Sequence, residues 1–321
     1  MATAIRIHAP GGPKALQIDE VPTPSPAPGQ LLVETAAIGV NYIDTYHRSG
    51  LYPMELPATL GVEAAGVVTA VGDGVTSFSA GDRVAWAMQP GSYATHVAVN
   101  PDGVIRVPPG VDLKLAAAVP LQGMTAHYLA RSIVPLGEGD TALVHAGAGG
   151  VGLLLTQVLR DLGIRVFTTV SNAEKAELSH AAGADQVFGY DDFVAGVRAA
   201  TDGAGARIVF DGVGASTFEA SLDALGVRGT MVLFGASSGP VPSIDPQILN
   251  AKGSLLLGRP SLAHFIADPA ELAWRAEEIF SAIARGSLDV RIGAEFALTE
   301  AAEAHRALEG RQTTGKVLLI P

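Results

Sequence analysis

The segment Thr141–Gly152 constrains the fold of this 321-residue chain more than any other segment. Its first five residues, TALVH, form a short apolar run that predicts a buried strand. Gly147, Gly149 and Gly152 follow in the pattern G-x-G-x-x-G, and residues 151–162 have the spacing and length of a helix. A strand, a glycine turn and a helix in this order predict a site for the pyrophosphate of a dinucleotide, because N–H groups at a helix N-terminus bind phosphate. The alternative is a glycine-rich turn in an ordinary βα unit.

Strands and helices alternate in the chain after this motif. We expect strands at 141–145, 165–170, 186–190, 207–213, 230–234 and 254–258, and helices at 151–162, 173–182, 193–201 and 217–225. Six strands joined by helical crossovers are the count of a doubly wound dinucleotide-binding fold, in which the strands lie parallel in one sheet. The sequence therefore predicts an α/β fold with a six-stranded parallel sheet in this part of the chain.

The residues before this sheet have a different character. Short β-rich runs between glycines, among them 31–38, 61–71 and 83–87, predict a compact barrel-like domain. After the sheet we expect a long amphipathic helix at 271–285, a helix at 296–307 and a closing strand at 317–320. Because these last segments no longer alternate as βα units, we expect them to return to the first domain. The predicted domains are residues 1–122 with 268–321, and residues 123–267.

Residues 41–53, with the sequence NYIDTYHRSGLYP, are dense in side chains that can hydrogen-bond or stack. They lie between the predicted strand at 31–38 and the next strand signal at Gly61. Loops with this composition often carry function, because packing alone does not require such residues. A solvated connecting helix is the alternative interpretation of this segment.

The composition excludes several classes of function. With 21 basic and 32 acidic residues the formal net charge is −11, which argues against a nucleic-acid-binding face and so against a non-catalytic RNA-binding protein. The absence of cysteine excludes disulfides, thiolate zinc sites and a cysteine nucleophile. The eight histidines show no metal-ligand spacing, and no G-x-S-x-G motif occurs. Hydride delivery by a bound nicotinamide cofactor is the chemistry that remains.

The N-terminal residues, MATAIRIHAPGG, lack the basic segment and apolar core of a signal peptide. Residues 141–159 carry no charge over nearly the length that spans a bilayer, but the glycine turn in their middle favours a strand and a buried helix. We therefore expect a cytoplasmic protein with no membrane partner.

The residues after the second predicted strand bear on the choice of coenzyme. Folds that prefer NAD carry an acid about 20 residues past the glycines, which binds the ribose 2′-hydroxyl. Here Ser171 and Asn172 take that place; the first acid, Glu174, is already on the next helix, and Lys175 follows it. A lysine there can bind a 2′-phosphate through a charge-assisted hydrogen bond, and Tyr190 lies in reach of the same place. The sequence predicts NADPH over NADH; the alternative is that Lys175 is a solvated surface lysine.

Several segments of the chain together resemble one known family. They are AIGVNYIDTYHRSGLYP (37–53), LGVEAAGVV (60–68), AGDRV (80–84), HAGAGGVG (145–152), FGASSG (234–239), KGSLLLGRPSL (252–262) and LLIP (318–321). With these segments the chain resembles, essentially from end to end, the zinc-free quinone oxidoreductases (zeta-crystallin-like) of the medium-chain dehydrogenase/reductase superfamily. The resemblance implies a GroES-like β-barrel catalytic domain, a Rossmann domain with a doubly wound six-stranded parallel sheet, and NADPH-dependent reduction of quinones.

The resemblance also implies site residues. The catalytic side chains that it implies are Asn41, Tyr46 and Tyr52, which would border the quinone. The implied cofactor-binding residues are Tyr42, Ile43, Asp44, Arg48, Thr125, Tyr128, Gly147, Gly149, Gly150, Val151, Gly152, Ser171, Lys175, Tyr190, Gly214, Phe234, Gly235, Ser238 and Arg311. Ala236 departs from the family, in which asparagine often stands at this position, so the polar contact that the asparagine would make near the nicotinamide is not implied for this chain.

No metal site is expected. Zinc-dependent relatives carry G-H-E where this chain reads Gly61-Val62-Glu63, so the ligand before the glutamate is replaced by valine. We interpret Glu63 as a buried acid that pairs with a nearby cation. His145 is interpreted as a packed, hydrogen-bonded residue at the end of the first parallel strand.

Two further expectations concern substrate and assembly. The alternative activity is NADPH-dependent reduction of an activated carbon–carbon double bond, in an enone or an enoyl thioester, because such relatives share the scaffold. The family implies a homodimer, or a dimer of dimers, joined along the edge strand at Ser254–Gly258. An apolar last strand would otherwise expose an unpaired edge, which agrees with that assembly.

Overall fold

The structure is a computed structural model that describes every residue from Met1 to Pro321. It divides the chain into two compact units. The first unit contains Met1–Met124, Phe265–Ser281 and Val290–Pro321, and the second contains Thr125–His264 and Ala282–Asp289. No helix in the structure has both the length and the apolar character needed to cross a membrane.

A six-stranded parallel sheet forms the centre of the second unit. Its strands are β9 (Thr141–Val144), β10 (Arg165–Thr169), β11 (Gln186–Phe188), β12 (Ala206–Asp211), β13 (Leu225–Leu233) and β14 (Leu256–Gly258). Their order is β11-β10-β9-β12-β13-β14, and every neighbouring pair is parallel. The chain thus runs outward from β9 to one edge and then returns to β12 to build the other half. This order confirms the predicted doubly wound sheet.

One helix follows each strand of this sheet in the chain. These helices are α4 (Gly150–Asp161), α5 (Ala173–Ala181), α6 (Phe193–Ala200), α7 (Phe218–Ala224), α8 (Gln247–Ala251) and α9 (Leu262–Phe265). All four residues of β9 are buried, as expected for a strand with helices on both faces. The hydrophobic core around Leu143, Phe167 and Val209 joins these strands to Phe193 on α6 and Phe218 on α7.

The first unit is rich in antiparallel strands. They are β1 (Ala2–Ile7), β2 (Gln17–Val21), β3 (Leu31–Val40), β4 (Ala58–Thr59), β5 (Glu63–Val71), β6 (Arg83–Ala87), β7 (His96–Val99), β8 (Val104–Arg106), β15 (Ile292–Ala297) and β16 (Lys316–Ile320). A three-stranded sheet has the order β2-β1-β4, and a seven-stranded sheet has the order β15-β16-β3-β5-β6-β8 with β7 paired to β3. Trp86 and Tyr93 are both 0% exposed in the core of this unit.

Helices complete the first unit and extend beyond it. They are α1 (Tyr42–Ser49), α2 (Leu113–Ala118), α3 (Pro120–Arg131), α10 (Pro269–Ala284) and α11 (Ala301–Glu309), with short 3-10 helices at Pro13–Ala15, Pro101–Gly103 and Leu298–Glu300. The closing strand β16 pairs with β3 so that Val317 faces Val40 and Leu318 faces Gly39. The end of the chain is therefore brought next to the residues that begin α1.

The local structure departs from the prediction at residues 42–49 and at residues 292–300. Residues 42–49 form a helix, but it is not solvated, because Asp44, Tyr46 and Arg48 on it are buried. The predicted helix at 296–307 is wrong at its start, since Ile292–Ala297 is a strand and the helix begins at Ala301. Pairing with β16 decides the conformation of β15. The residues of β15 alternate in exposure, as expected for a strand at the edge of a sheet.

Candidate functional site

The glycine turn after β9 packs more tightly than any side chain would permit. A Cβ on Gly147 would lie 2.6 Å from both Ser179 Oγ and Thr168 Cβ, and one on Gly152 would lie 2.3 Å from Ala146 O. The left-handed residue of the turn is Ala146, with φ 54°. Gly147 is needed because neighbouring side chains occupy the space of a Cβ, and Gly152 brings the helix against the turn.

The N-terminus of α4 follows this turn directly. Gly149 is its extended N-cap residue, and Gly150, Val151 and Gly152 form the first helical turn. Backbone N–H groups in the first turn of a helix have no partner inside the helix and lie at its positive end. This end of the second unit therefore has the backbone geometry of an anion site.

No acidic residue stands between the end of β10 and the start of α5. Ser171 is exposed and Asn172 caps the helix, its Oδ1 accepting a hydrogen bond from the Lys175 backbone N–H at 2.9 Å. The cap fixes the first turn of α5 and with it the Lys175 backbone. The loop between β10 and α5 therefore holds no carboxylate that would repel a 2′-phosphate, and Lys175 follows Glu174 in the first turn of α5.

Tyr190 lies against a fully buried histidine. Its ring stacks on the ring of His145, with centroids 6.1 Å apart and an interplanar angle of 17°. His145 Nδ1 lies 2.8 Å from Thr169 Oγ1 and Nε2 lies 2.8 Å from Ser221 Oγ. Because Ser221 donates its proton to Thr217 O at 2.7 Å, Nε2 carries the histidine proton and Nδ1 accepts.

Burial lowers the pKa of His145, since charge is disfavoured in an apolar interior, and so favours the neutral ring. Both ring nitrogens are hydrogen-bonded and the side chain is 1% exposed. The interpretation of His145 as a packed residue is therefore confirmed.

The loops that follow β12 and β13 are tied together by buried hydrogen bonds. Asp211 Oδ1 accepts from the backbone N–H groups of Val213, at 2.6 Å, and Gly214, at 2.9 Å. Ser238 Oγ donates to Val213 O at 2.8 Å and accepts from the Ser216 N–H at 3.0 Å. These bonds fix the shape of both loops at the carboxyl ends of their strands, where ligands of parallel sheets bind.

Backbone packing requires the two predicted glycines of these loops. Gly214 has φ 92°, and a Cβ on it would lie 2.6 Å from Gly239 O. A Cβ on Gly235, which follows Phe234, would lie 2.6 Å from Gly212 O. The predicted residues Gly214, Phe234, Gly235 and Ser238 are thus held in one cluster of loops.

A buried polar cluster lies at the start of α1 in the first unit. It consists of Asn41, Glu63 and Lys316, with Gln122 at its side. Lys316 Nζ forms an ion pair with Glu63 Oε2 and donates to Asn41 Oδ1 at 2.9 Å. Asn41 Nδ2 donates to Glu63 Oε2 at 2.8 Å, and Glu63 Oε1 accepts the backbone N–H of Leu121 at 2.7 Å. The interpretation of Glu63 as a buried acid that pairs with a cation is confirmed.

The cluster cannot act as a zinc site. Near Glu63 the donor set is an ammonium, a carboxamide and a backbone N–H, whereas zinc requires thiolate, imidazole or carboxylate ligands. No group of three or more histidine, cysteine, aspartate or glutamate side chains with metal-binding geometry occurs in the structure. The ammonium of Lys316, rather than a metal ion, neutralises the negative charge of Glu63.

A second set of buried hydrogen bonds links Asp44 and Arg48, both on α1, through Tyr93 and His305. Asp44 Oδ2 accepts from the Asn41 backbone N–H at 2.8 Å and from Tyr93 Oη at 2.9 Å. Tyr93 Oη lies 3.1 Å from Nε2 of His305, whose Nδ1 lies 2.9 Å from Arg48 Nη1. Because arginine only donates, His305 Nδ1 accepts, and its Nε2–H donates to Tyr93, which in turn donates to Asp44.

Arg48 lies at the end of this chain of hydrogen bonds and joins it to the partly exposed Glu309. Its guanidinium makes a bidentate pair with Glu309, at 2.7 and 3.0 Å, and its Nε donates to Gly11 O at 3.0 Å. The Arg48 side chain is 3% exposed, while that of Glu309 is 36% exposed. A planar guanidinium suits such a buried fork because several of its donors are satisfied at once.

Burial shifts the pKa values of Asp44 and His305, two members of this chain of hydrogen bonds, in opposite directions. It raises the pKa of Asp44 to about 7, and the second carboxyl oxygen, Oδ1, has no hydrogen-bond partner. It lowers the pKa of His305 to about 3, with a smaller contribution from the neighbouring Arg48 charge. In both cases the interior favours the neutral form of the group.

The aromatic side chains of α1 and the following turn contact each other. The Tyr46 and Tyr52 rings meet edge to face with centroids 5.3 Å apart, and Tyr42 lies 6.5 Å from Tyr46. Tyr42 Oη donates to Leu308 O at 3.0 Å. Tyr46 is buried and Tyr52 is 37% exposed, so the pair runs from the core of the unit to its surface.

The remaining predicted residues are dispersed. Ile43 is half-buried on α1, and Thr125 and Tyr128 are buried on α3. Arg311 is exposed after α11, in a left-handed conformation with φ 56°. Lys316, Tyr93 and His305 were not found by sequence reasoning, since they lie far along the chain from α1. The one usable signal was a lysine directly before the apolar run of the closing strand.

The shifted pKa values of Asp44 and His305 predict how the stability of the fold depends on pH. The raised pKa of Asp44 stabilises the fold at low pH, and this contribution is lost as the pH rises through about 7. The lowered pKa of His305 stabilises the fold near neutral pH, and this contribution is lost as the pH falls toward about 3. Between the ordinary pKa values of the two residues the contributions oppose each other.

Asp44→Asn should therefore make the free energy of unfolding fall on acidification relative to the parent, by about 1.4 kcal/mol per pH unit between about pH 6 and pH 4. His305→Gln should give a change of opposite sign. Urea unfolding at a series of pH values measures both slopes. Parallel curves for the parent and Asp44→Asn would contradict the assignment.

Comparison with known proteins agrees with this arrangement. Residues 27–109 match the model of the alcohol dehydrogenase GroES-like domain, and residues 150–269 match the model of the zinc-binding dehydrogenase domain. The second name refers to zinc, for which the residues around Glu63 are unsuited. The matched ranges contain, respectively, α1 with Glu63 and the strands from β10 to β14.

Full-length relatives cover the whole chain. The quinone oxidoreductase of Pseudomonas aeruginosa is 43% identical over 325 residues, with 100% of both chains covered. A 2-haloacrylate reductase of Burkholderia sp is 39% identical over 333 residues, covering 100% of this chain and 99% of the relative. The crystal structure of Escherichia coli quinone oxidoreductase complexed with NADPH superposes with a TM-score of 0.97 at 43% identity, covering 99% of this chain and 100% of the other. The chain belongs to the zinc-free quinone oxidoreductases of the medium-chain dehydrogenase/reductase superfamily.

Proposed function

We propose that this protein is an NADPH:quinone oxidoreductase. The observation that carries the proposal is the full-length similarity to a quinone oxidoreductase at 43% identity, together with a similar structure that holds NADPH. The residues of the chain agree with it, because they offer an anion site for a dinucleotide but no metal site and no cysteine nucleophile.

The second unit has the features that NADPH requires. The first turn of α4, with Gly149, Gly150 and Val151, binds the pyrophosphate through backbone N–H groups. Ser171, Lys175 and Tyr190 bind the 2′-phosphate, with Tyr190 held by the His145 ring. Gly214, Phe234, Gly235 and Ser238 border the cofactor from the loops after β12 and β13. Bound NADPH supplies the hydride.

The first unit contributes the residues around the quinone. Tyr46 and Tyr52 border it and donate hydrogen bonds to the oxygen on which charge develops, and Asn41 forms part of the same wall. Tyr42, Ile43, Asp44 and Arg48 hold the nicotinamide side through α1. Thr125, Tyr128 and Arg311 complete the cofactor contacts. No dedicated proton donor is needed, because the oxygens of a hydroquinone take protons from water.

Lys175→Ala tests the choice of coenzyme. The substitution should weaken NADPH binding by roughly 1.5–3 kcal/mol, as expected for one charge-assisted hydrogen bond, and leave NADH binding unchanged. Fluorescence titration with both coenzymes measures the effect, and Lys14→Ala, at an exposed lysine of the first unit, is the control. An unchanged preference for NADPH in Lys175→Ala would remove this role.

Substrate choice is tested with matched acceptors. Parent protein should oxidise NADPH faster with benzoquinone than with an enone of similar size, and Tyr46→Phe and Tyr52→Phe should each lower kcat for the quinone about tenfold or more. The dissociation constant of NADPH should not change. Faster turnover of the enone would favour the alternative, an activated carbon–carbon double-bond reductase, to which the 2-haloacrylate reductase relative points.

We further propose that the protein is a cytoplasmic homodimer joined through Ser254–Gly258. Support comes from β14, which is the edge strand of the parallel sheet and carries Leu256 at 58% exposure. Val227 on the neighbouring strand is 80% exposed. An edge strand with exposed apolar side chains is an unpaired template for another strand.

Leu256→Lys tests this assembly. The parent should sediment at twice the mass of the chain, and the variant as a monomer, because a charge on the pairing strand opposes edge-to-edge contact. Ile18→Lys is the matched control, since Ile18 is 54% exposed on β2, at the edge of the three-stranded sheet. A monomeric parent, or an equal effect of both substitutions, would contradict the proposal.

A further inference from the structure

The charges around Asn41 allow only one orientation of its carboxamide. Oδ1 accepts from the Lys316 ammonium at 2.9 Å, and Nδ2 donates to the Glu63 carboxylate at 2.8 Å. Rotating the amide by half a turn would place N–H groups against an ammonium and the carbonyl against a carboxylate. Lysine only donates and an ionised glutamate only accepts, so neither contact could be rescued by a proton shift within the side chain.

The remaining hydrogen-bonding capacity of this amide is also used. Nδ2 lies 3.3 Å from Gly39 O, and Gln122 Nε2 lies 3.4 Å from Oδ1. With 3% exposure, Asn41 has its polar atoms engaged on elements other than α1. The side chain is therefore fixed by Glu63 on β5 and Lys316 on β16, while Leu121 on α3 binds the same carboxylate.

Stability alone does not account for the ion pair. The side chains of Lys316 and Glu63 are 1% and 0% exposed, so both charges are removed from water. The attraction within such a pair roughly offsets the cost of desolvation, and uncharged replacements of similar volume are often neutral. Buried ion pairs are then better explained by what they hold in place.

The ion pair of Glu63 and Lys316 packs directly against the backbone of Gly39 on β3. A Cβ on Gly39 would lie 2.2 Å from Glu63 Oε2 and 2.7 Å from Lys316 Nζ. The backbone of Gly39 is not left-handed, so alanine would be allowed there but for these charged groups. The glycine is therefore required by the position of the ion pair rather than by a turn.

We propose that Lys316, through its ion pair with Glu63, is a positioning residue that fixes the carboxamide of Asn41 and thereby the start of α1, the helix that carries Tyr46. Its effect on catalysis rests on the proposed function, while its effect on Asn41 does not. Lys316 has no direct part in the reaction. It acts by fixing the orientation and the position of the Asn41 carboxamide, which forms part of the wall of the quinone site.

The double variant Lys316→Met with Glu63→Gln tests the catalytic consequence. The carboxamide that Glu63→Gln introduces is neutral and can accept the Leu121 N–H and donate to a rotated Asn41 amide, so the fold should persist. We expect kcat for the quinone to fall by about tenfold or more, as misplacement of site groups produces, with the dissociation constant of NADPH unchanged. Lys114→Met with Glu295→Gln, the same change at an exposed ion pair of 2.6 Å in the same unit, should leave kcat unchanged. A folded double variant with parental kcat would overturn the proposal.

The orientation of Asn41 can be measured without turnover. The chain contains four asparagines, Asn41, Asn100, Asn172 and Asn250, of which only Asn41 is buried. In protein labelled with ¹⁵N-asparagine, one side-chain amide should exchange its hydrogens slowly, and the double variant should abolish that protection. Four amides that exchange equally fast in the parent would overturn the proposal.

Gly39→Ala provides a variant that keeps both charges. The added methyl should displace the ion pair, speed hydrogen exchange of the Asn41 amide and lower kcat, while Gly12→Ala, at an open position with negative φ, should do neither. If the double variant fails to fold, Gly39→Ala decides, and an unchanged Asn41 amide in it would overturn the proposal. If the parent reduces no quinone, the proposed function fails, whereas slow exchange of the Asn41 amide would still support the positioning role.

Discussion

The requirement that buried charges and polar groups be paired organises the first unit. Glu63, Asp44, Arg48 and Lys316 are each at most 2% exposed, and each is bonded to a residue from another element. Lys316 on the closing strand thereby binds Asn41 at the start of α1, and His305 on α11 binds Arg48 on α1. Because an unpaired charge in such a place would cost several kcal/mol, these contacts specify where the C-terminal segment must return.

The second unit follows a different principle, in which close backbone approach replaces charge pairing. Gly147 and Gly152 admit side-chain and backbone atoms into space that a methyl group would fill, so β9 and α4 meet directly. The same approach leaves the N-terminal N–H groups of α4 at the carboxyl edge of the sheet, where a phosphate is stabilised. Asp211 and Ser238 then fix the two neighbouring loops through backbone hydrogen bonds. A rigid backbone cradle needs few charged side chains, which agrees with an acidic chain that binds an anionic coenzyme.

Local patterns were enough to predict the parallel sheet and the glycine turn, because strand, turn and helix there are consecutive in sequence. The buried polar cluster could not be predicted in this way, since Asn41 is 22 residues from Glu63 and 275 from Lys316. A lysine before an apolar strand gives no indication of which carboxylate it meets. Likewise β15 was missed because its conformation depends on pairing with β16. The residues with predicted contacts on the cofactor itself remain predictions from family resemblance.

The proposed reaction is direct delivery of hydride from NADPH to a quinone, to which the chain contributes only binding, orientation and hydrogen bonds. Rapid mixing of the NADPH-loaded protein with a quinone in a single turnover tests this most directly, with the coenzyme carrying deuterium or hydrogen at C4 of the nicotinamide. We expect oxidation of one NADPH per quinone with a primary deuterium isotope effect. Persistence of the reduced nicotinamide absorbance across a panel of quinones would contradict it.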